Sequence, residues 1–222
     1  MIPFAGGVRL FSLPPGFCPA RRAKARRQPG RAAPLVNMPR NWEERYSQAE
    51  NLDFTPSPLL VEVAEMAIPG RALDLASGHG RNALYLAGLG WSVVAVDASK
   101  AAIQILRDRS AAAQLPVEAR AVNLETREFA IEPSGYDLIC DFFFLQRSLF
   151  PQIREGLRPG GIFVAEIHLR DDSATDGPRS PEFVLEAGEL RQQFSAWKIL
   201  FYSEAPQPGH GRATARIIAR RA

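Results

Sequence analysis

The residues best suited to chemistry in this sequence cluster at a glycine-rich turn, Gly78-His79-Gly80-Arg81-Asn82-Ala83. The turn follows a short apolar segment, precedes a helical pattern and fits the G-x-G-x-x-A fingerprint of nucleotide-binding turns. Because glycine has no Cβ, backbone N–H groups in such a turn can approach a ligand closely. The turn therefore predicts a site for a nucleotide or a nucleoside.

Three aspartates stand at or near the ends of predicted strands: Asp74, Asp97 and Asp141. Each alone could be a loop carboxylate or a helix cap, but the carboxyl ends of parallel strands meet at one edge of a sheet, where ligands bind. Asp97 follows Gly80 by 17 residues, close to where an acidic side chain accepts hydrogen bonds from ribose hydroxyls. The three together favour a ligand site at this edge.

Asp74 distinguishes between the ligands that such a turn can hold. Its carboxylate precedes the glycines and would oppose a pyrophosphate by several kcal/mol in a low-dielectric cleft. The same carboxylate would attract an ammonium or a sulfonium group. S-adenosyl-L-methionine carries both, offers ribose hydroxyls to Asp97 and has no phosphate. We therefore expect this cofactor and disfavour NAD.

The elements that position these residues alternate between short apolar strands and helical patterns, which predicts an α/β, doubly wound, mostly parallel seven-stranded sheet. The predicted strands are 72–76, 92–97, 117–122, 136–141, 162–167, 197–203 and 213–219. The predicted helices follow Ser57-Pro58, cover 81–89, 99–109 and 187–195, and include one through Leu145, Leu149, Ile153 and Leu157 that ends at Pro159-Gly160-Gly161. The last two strands have only a short link between them, so that pair is expected to be antiparallel.

Composition fits one globular domain. The chain has 222 residues, of which 46% are hydrophobic and 23% are charged, and no apolar run approaches the roughly 18 residues of a membrane span. Its two cysteines, Cys18 and Cys140, leave no zinc spacing and no disulfide framework. We therefore expect no metal site and a cytoplasmic location.

The first 40 residues differ from the rest of the chain. They contain eight of the 27 basic residues and no Asp or Glu, which leaves 19 basic against 24 acidic side chains in 41–222. We expect a basic, disordered extension at 1–40 and one folded domain at 41–222. An unstructured tail or a mis-set start before Met38, an organelle transit peptide and a basic arm all remain open for the extension. The acidic body gives no reason to expect nucleic acid as a partner.

Several motifs in order resemble class I S-adenosylmethionine-dependent methyltransferases. They read DLASGHG, RNALYLA, VVAVDAS, NLE, YDLICD and LRPGGIFVAEIH, and the resemblance covers about residues 41–220. With WEERY upstream, the sequence is similar to the tellurite-resistance type of small-molecule methyltransferase. It departs from the family at Ala76, where a glycine is usual, and at Asn123, where an aspartate is frequent. Ala76 would cost little if its φ were negative.

The resemblance implies a Rossmann-like methyltransferase fold with the last strand antiparallel, and a role for individual residues. It implies that the cofactor is surrounded by Asp74, Ala76, Gly78 and Gly80 at the methionine part, Asp97 at the ribose, and Ala98, Asn123 and Leu124 at the adenine. The residues expected near the methyl acceptor are Asp141, His168, Tyr46 and Arg45. Methyl transfer from a sulfonium needs orientation and desolvation more than a general base, so no catalytic dyad is expected. Phe142-Phe143-Phe144 is either core or an aromatic wall of the substrate pocket.

The acceptor class is narrowed by what the sequence lacks. No [DNS]-P-P-[YF] loop follows the fourth strand, and only the segments 41–57 and 169–186 are expected to cover the pocket. We therefore expect a small acceptor such as a thiol or a chalcogen oxyanion, no nucleic-acid or membrane partner, and a monomer or homodimer. The alternatives are a non-catalytic S-adenosylmethionine-binding module and an NAD-type oxidoreductase. The second would require a pyrophosphate beside Asp74.

Overall fold

A computed structural model describes residues 42–48, 51–126, 129–170, 180–206 and 212–222. Its strands are β1 (Arg71–Leu75), β2 (Ser92–Asp97), β3 (Val117–Ala121), β4 (Tyr136–Phe142), β5 (Leu157–His168), β6 (Lys198–Pro206) and β7 (Ala213–Arg220). They form one sheet in the order β3-β2-β1-β4-β5-β7-β6. The strands β1 to β5 pair in parallel, and β7 is antiparallel to both β5 and β6. The predicted fold and the antiparallel last pair are confirmed.

The helices cover both faces of this sheet. They are α1 (Trp42–Ser47), α2 (Pro58–Met66), α3 (Arg81–Gly88), α4 (Lys100–Ala112), α5 (Leu149–Gly156) and α6 (Glu189–Gln193), with a 3-10 turn at Pro181–Phe183. Buried side chains of α2, α3 and α4 pack on one face, and those of α5 and α6 pack on the other. Each buried aliphatic side chain stabilises the fold by about 1.5–3 kcal/mol. These two cores hold the strand ends in fixed positions.

Some predicted helices differ from the observed ones. The helix predicted through Leu145 and Leu157 is two turns long, because α5 begins at Leu149 and Leu157 already pairs with Tyr136 in the sheet. Pro159-Gly160-Gly161 lies inside β5, at a register shift, rather than at a helix end. The last helix is also shorter than predicted. For α5, the four-residue apolar spacing continued past the end of the helix to Leu157, which is already in β5.

The sheet order reverses between β1 and β4, which are neighbours although two strands and two helices separate them in sequence. In doubly wound folds the crevice at this switch point, outside the carboxyl ends of the strands, receives the ligand. The predicted extension at 1–40 lies outside the described residues. Within the described ranges no helix is long and apolar enough to cross a membrane.

Candidate functional site

The glycine turn between β1 and α3 has three alternate residues in the left-handed region. The φ angles are +51° at Ala76, +55° at Gly78 and +87° at Gly80. A Cβ on Gly78 would overlap Tyr46 Oη, and a Cβ on Gly80 would overlap the Leu106 side chain. Both glycines are therefore required by backbone conformation and by close approach of neighbouring side chains.

Ala76 departs from the expectation that its φ would be negative. At a φ of +51° its Cβ approaches the backbone, and an alanine in this conformation costs about 1–2 kcal/mol. Glycine, the residue usual here in the family that the sequence resembles, would avoid this strain. The chain therefore keeps the left-handed conformation at this position, although alanine there lowers the stability of the fold.

Asp97, the last residue of β2, holds the turn in place. Its Oδ2 accepts the Gly78 N–H at 2.8 Å and its Oδ1 accepts the Ser99 N–H at 2.8 Å. Burial raises the pKa of Asp97, and the backbone N–H groups that it accepts act in the opposite direction. The carboxylate thus links the end of β2 to the turn and to the start of α4.

Asp74 and Asp141 lie in the last two positions of β1 and β4 and are only 1% and 2% exposed. Cys140 lies beside Asp74 in the sheet, and its thiol donates to Asp74 Oδ1 at 3.3 Å. Burial raises the pKa of Asp74 to about 7, although the Cys140 hydrogen bond favours the ionised form. Burial and then the Asp74 charge raise the pKa of Asp141 well above its ordinary value.

The residues expected around the adenine lie at the ends of β2 and β3. Ala98 is exposed and Leu124 is buried. Asn123 is exposed, and its Oδ1 accepts the Glu125 N–H at 2.9 Å, which forms a local turn. These positions fit the sequence prediction in location, and their contacts with a cofactor stay a prediction.

Helix α1 lies against the turn and was not predicted as a helix. Its Tyr46 is half-buried beside Gly78. Its Glu43 accepts the Ser99 hydroxyl at 2.8 Å and the Ala101 N–H at 3.2 Å, at the N-terminus of α4. A carboxylate is favoured at a helix N-terminus by the unpaired N–H groups and by the helix dipole. Glu43 therefore anchors α1 over the turn, a role that the sequence analysis missed.

Three side chains of the turn and the start of α3 bind the segment that precedes α2. His79 Nε2 donates to the Asp53 carbonyl at 2.8 Å, and Arg81 donates to Ser57 Oγ at 3.1 Å. Asn82 Oδ1 accepts the Ser57 N–H at 2.9 Å. These contacts attach the covering segment to the turn. A signal for these contacts is visible in the sequence, since polar side chains within a glycine turn need hydrogen-bond partners.

The ends of β4 and β5 meet on the other side of the switch point. Phe142 is part of the core, whereas Phe143 has a φ of +65° and its ring lies 5.3 Å from that of His168. A bulky residue in this conformation costs about 1–3 kcal/mol and is found mostly where function or packing demands it. Phe143 N donates to the Glu166 carbonyl at 2.7 Å, which holds the strained residue beside β5.

Comparison with known proteins decides the family. A model of the tellurite resistance protein TehB family matches residues 40–214, which include the whole edge described above. This chain belongs to the TehB family.

Its relatives are longer proteins. Hemagglutinin 1 of Eikenella corrodens is 35% identical over 152 residues, 65% of this chain and 49% of its own length. A TehB protein of Haemophilus influenzae Rd, named a probable S-adenosyl-L-methionine-dependent methyltransferase, is 30% identical over 158 residues, 65% of this chain and 52% of its own length. The chain thus spans about half the length of these curated relatives.

Solved structures confirm the fold. The crystal structure of TehB from Haemophilus influenzae superposes with a TM-score of 0.65 at 24% identity, covering 82% of this chain and 67% of the other. The 1,6-didemethyltoxoflavin-N1-methyltransferase of Burkholderia thailandensis, with S-adenosylhomocysteine bound, gives 0.59 at 20% identity and covers 74% of this chain and 77% of the other. The TehB family member therefore has the methyltransferase fold that its sequence predicts.

The four residues expected near the acceptor lie in different settings in this TehB-family chain. Asp141 and His168 are near the carboxyl ends of the neighbouring strands β4 and β5, and Tyr46 contacts the glycine turn. Arg45 is exposed, and its guanidinium lies 5.0 Å from the centre of the Trp42 ring. The roles of all four residues stay predictions. Of the covering loop 169–186, residues 171–179 lie outside the described part of the chain.

An adenosyl cofactor fits the residues at this edge. Across the described residues, Asp74 Oδ2 and Asp141 Oδ1 are buried without a hydrogen-bond partner, which suits a ligand that brings a cationic donor. The turn brings backbone close to the edge at Gly78, where a Cβ has no room. Buried carboxylates do not suit a pyrophosphate.

Proposed function

We propose that this chain is an S-adenosylmethionine-dependent methyltransferase that acts on a small-molecule acceptor. The observation that carries the proposal is the buried carboxylate of Asp74 directly before the glycine turn of a TehB-family domain. A carboxylate here complements the ammonium and sulfonium of the cofactor and opposes the phosphates of NAD. When bound, the cofactor supplies the methyl group on a sulfonium.

Asp97 is the proposed ribose acceptor, although each of its oxygens already accepts one backbone N–H. An ionised carboxylate offers about four lone-pair sites, so each oxygen can accept a further hydrogen bond from a ribose hydroxyl. The two N–H bonds then fix the carboxylate orientation before the ligand arrives. Ala76, Gly78 and Gly80 would border the methionine part, with Ala98, Asn123 and Leu124 at the adenine.

The acceptor is proposed to bind at the ends of β4 and β5. Phe143 and His168 pack together there, which offers an apolar wall and one polar group, the usual make-up of a small-molecule site. Tyr46, which lies beside Gly78, is proposed to border the same crevice from α1. The chain's part in the reaction is to orient an already nucleophilic atom and to strip it of water, so no general base is assigned.

The acceptor class follows from chemistry and from the family. A thiol or a chalcogen oxyanion is nucleophilic without a strong base, and the family is named for tellurite resistance. We therefore propose such an acceptor, with no methylation of DNA, RNA or protein. A cytoplasmic location and a monomeric or homodimeric state belong to the same proposal.

A binding test comes first. S-adenosylhomocysteine should raise the melting temperature, since a ligand at 100 times its Kd adds about 2.7 kcal/mol. NAD and NADP should leave the melting temperature unchanged. A tight NAD complex would show that Asp74 tolerates pyrophosphate and would overturn the cofactor proposal.

The acceptor is tested with radiolabelled S-adenosylmethionine and a cell extract, followed by separation of small and volatile products from macromolecules. Label in the small or volatile fraction that disappears with Asp97→Ala supports the proposal. Label in protein or nucleic acid with the same dependence on Asp97 would contradict it. Binding of S-adenosylhomocysteine without transfer to any acceptor would favour a non-catalytic binding module instead.

A further inference from the structure

The segment 180–189 lies against the end of β5, where the acceptor is proposed to bind. Leu185 forms a parallel bridge with Leu169, the residue that follows β5. Leu185 N donates to the His168 carbonyl at 2.9 Å, and the Leu185 carbonyl accepts the Arg170 N–H at 2.8 Å. The backbone of this segment is therefore fixed beside His168 at one point, Leu185.

Burial holds only part of this segment. Val184, Leu185 and Leu190 are buried and anchor it from below. The 3-10 turn Pro181–Phe183, which precedes them, contains no buried residue. Such a turn gains little from the hydrophobic effect, because little apolar area leaves water. Its position must therefore depend more on polar contacts.

Arg147, in the loop after β4, supplies such contacts. Its Nη1 donates to the Pro181 carbonyl at 3.3 Å and its Nη2 to the Val184 carbonyl at 2.9 Å, so one side chain binds the turn before and after its exposed residues. Its Nε and Nη2 also donate to the two carboxylate oxygens of Glu189, the first residue of α6, at 2.6 and 2.9 Å. This paired geometry requires the planar fork of an arginine, and a lysine cannot reproduce it.

The contact between Arg147 and Glu189 fixes geometry more than it adds stability. The hydrogen bond from Arg147 lowers the pKa of Glu189, although burial acts in the opposite direction, so the pair is fully charged at neutral pH. The Arg147 side chain is nevertheless 41% exposed, and ion pairs that water reaches contribute little to stability. Glu189 also accepts the Glu186 N–H at 2.9 Å. Arg147 therefore joins the loop after β4 to the segment beside β5.

We propose that Arg147 is a positioning residue for the methyl acceptor: it holds the turn Pro181–Phe183 against the ends of β4 and β5 as the outer wall of the acceptor site. The inference rests on the proposed function and deepens it, because it identifies the contact that sets which acceptors fit. Among the described residues, Arg147 donates its hydrogen bonds to 181–189 and not to the glycine turn. Loss of Arg147 should therefore weaken acceptor recognition and leave cofactor binding intact.

The test measures methyl transfer by the full chain at saturating labelled S-adenosylmethionine. The acceptor source is the small-molecule filtrate of a cell extract, added in increasing amounts. For Arg147→Met, the amount of filtrate that gives the half-maximal rate should rise about tenfold, the scale of one lost hydrogen bond to a charged group. The calorimetric affinity for S-adenosylhomocysteine should not change. Arg147→Lys keeps the charge without the fork, so its half-maximal amount should lie between those of the original chain and Arg147→Met.

The matched control is Arg154→Met. Arg154 lies on α5 and donates to the Gln193 carbonyl at 3.0 Å, at the last residue of α6. This variant also removes a hydrogen bond from an arginine to a carbonyl, but not one to the turn, so the half-maximal amount should stay the same. An equal rise with Arg154→Met, or a parallel fall in S-adenosylhomocysteine affinity with Arg147→Met, would indicate a general effect on the fold and overturn the proposal. An unchanged half-maximal amount with Arg147→Met would overturn it as well.

A second variant applies if Arg147→Met does not fold. Glu189→Gln keeps the shape of the side chain and an oxygen that can accept the Glu186 N–H, but it removes the charge that Arg147 binds. It should raise the half-maximal amount in the same direction and speed amide hydrogen exchange at 180–186. An unchanged half-maximal amount in this variant would overturn the proposal. Absence of methyl transfer by the unaltered chain would instead contradict the proposed function, and the role of Arg147 would fall with it.

Discussion

Two sharp glycine-containing bends of the backbone, both called turns below, lie at opposite edges of the sheet: one joins β1 to α3 at Gly78, and the other is the register shift inside β5 at Gly160. Gly78, at the carboxyl edge, has a φ of +55°, is buried and donates its N–H to Asp97. Gly160, at the amino edge, has a φ of +81°, is exposed and donates its N–H to the Arg221 carbonyl at 2.9 Å. A Cβ on Gly78 would overlap Tyr46, whereas a Cβ on Gly160 would meet open space.

A glycine in a left-handed turn therefore indicates a backbone requirement and does not by itself indicate a ligand. Both turns need glycine for the same conformational reason. Only the turn at Gly78 has buried carboxylates beneath it and a helix lying over it. The amino edge has its own aspartate, Asp137, which is partly exposed and paired with Arg158 at 2.6 Å.

The largest effect is expected from Gly78→Ala. The new Cβ adopts a strained φ, at about 1–2 kcal/mol, and overlaps Tyr46, which adds about 1–3 kcal/mol of overpacking. We expect a much lower melting temperature and weak S-adenosylhomocysteine binding. Adding Tyr46→Phe removes the overlapping hydroxyl and should recover part of the stability. A double variant no more stable than Gly78→Ala would show that α1 is not seated on the turn.

Asp97→Ala should weaken S-adenosylhomocysteine binding by about 1.5–3 kcal/mol, roughly 10- to 150-fold, because a hydrogen-bonding charge is lost. The matched variant at the amino edge is Asp137→Ala, which also removes a carboxylate that accepts a backbone N–H, that of Arg71 at 2.8 Å. It should lower stability and leave the affinity unchanged. Equal loss of affinity in both variants would mean that the effect is on folding alone.

Gly160→Ala should lower the free energy of unfolding by about 1–2 kcal/mol through backbone strain alone, because its Cβ meets no atom. Chemical denaturation measures this change, and calorimetry should find S-adenosylhomocysteine affinity unaltered. A loss of affinity comparable to that of Gly78→Ala would remove the distinction between the two turns.

The smallest effect is expected from Ala76→Gly. Relief of the strain at φ +51° is offset by the greater freedom of glycine in the unfolded chain, which leaves a gain of about 0.5–1 kcal/mol. The variant should melt at a slightly higher temperature and bind S-adenosylhomocysteine as the original chain does. A lower melting temperature would show that the Ala76 methyl group contributes packing that outweighs its strain.

The fold, and the meeting of the glycine turn with the strand-end aspartates at one edge of the sheet, could be predicted because they depend on local patterns. Apolar strands, the glycine turn and the aspartates at strand ends are visible in a short window, and their meeting follows from parallel topology. The sign of φ at Ala76 was not predictable, because it depends on how Asp97 and α1 hold the turn. The turn is also held by β2, because Ser77 N donates a hydrogen bond to Val96 O in that strand.

Long-range side-chain contacts could not be predicted from the sequence either. Glu43 and Ser99 are 56 positions apart, and their hydrogen bond depends on where α1 packs. The sequence alone does not distinguish whether Phe143 belongs to the core or to the wall of a substrate pocket. It is distinguished from Phe142 by its positive φ and its contact with His168, which arise where β4 ends. The early end of α5 also depends on a long-range contact, because Leu157 pairs with Tyr136 in the sheet although the four-residue spacing predicts that the helix continues to it.

Amide hydrogen exchange of the full chain, with and without S-adenosylhomocysteine, shows in one experiment which of the two turns the cofactor protects. The ligand should slow exchange in peptides that cover 74–81 and 97–99, where backbone N–H groups border the site. Exchange at 158–161, around Gly160, should not change. Protection at 158–161, or no protection at 74–81, would contradict the assignment of the cofactor to the carboxyl edge.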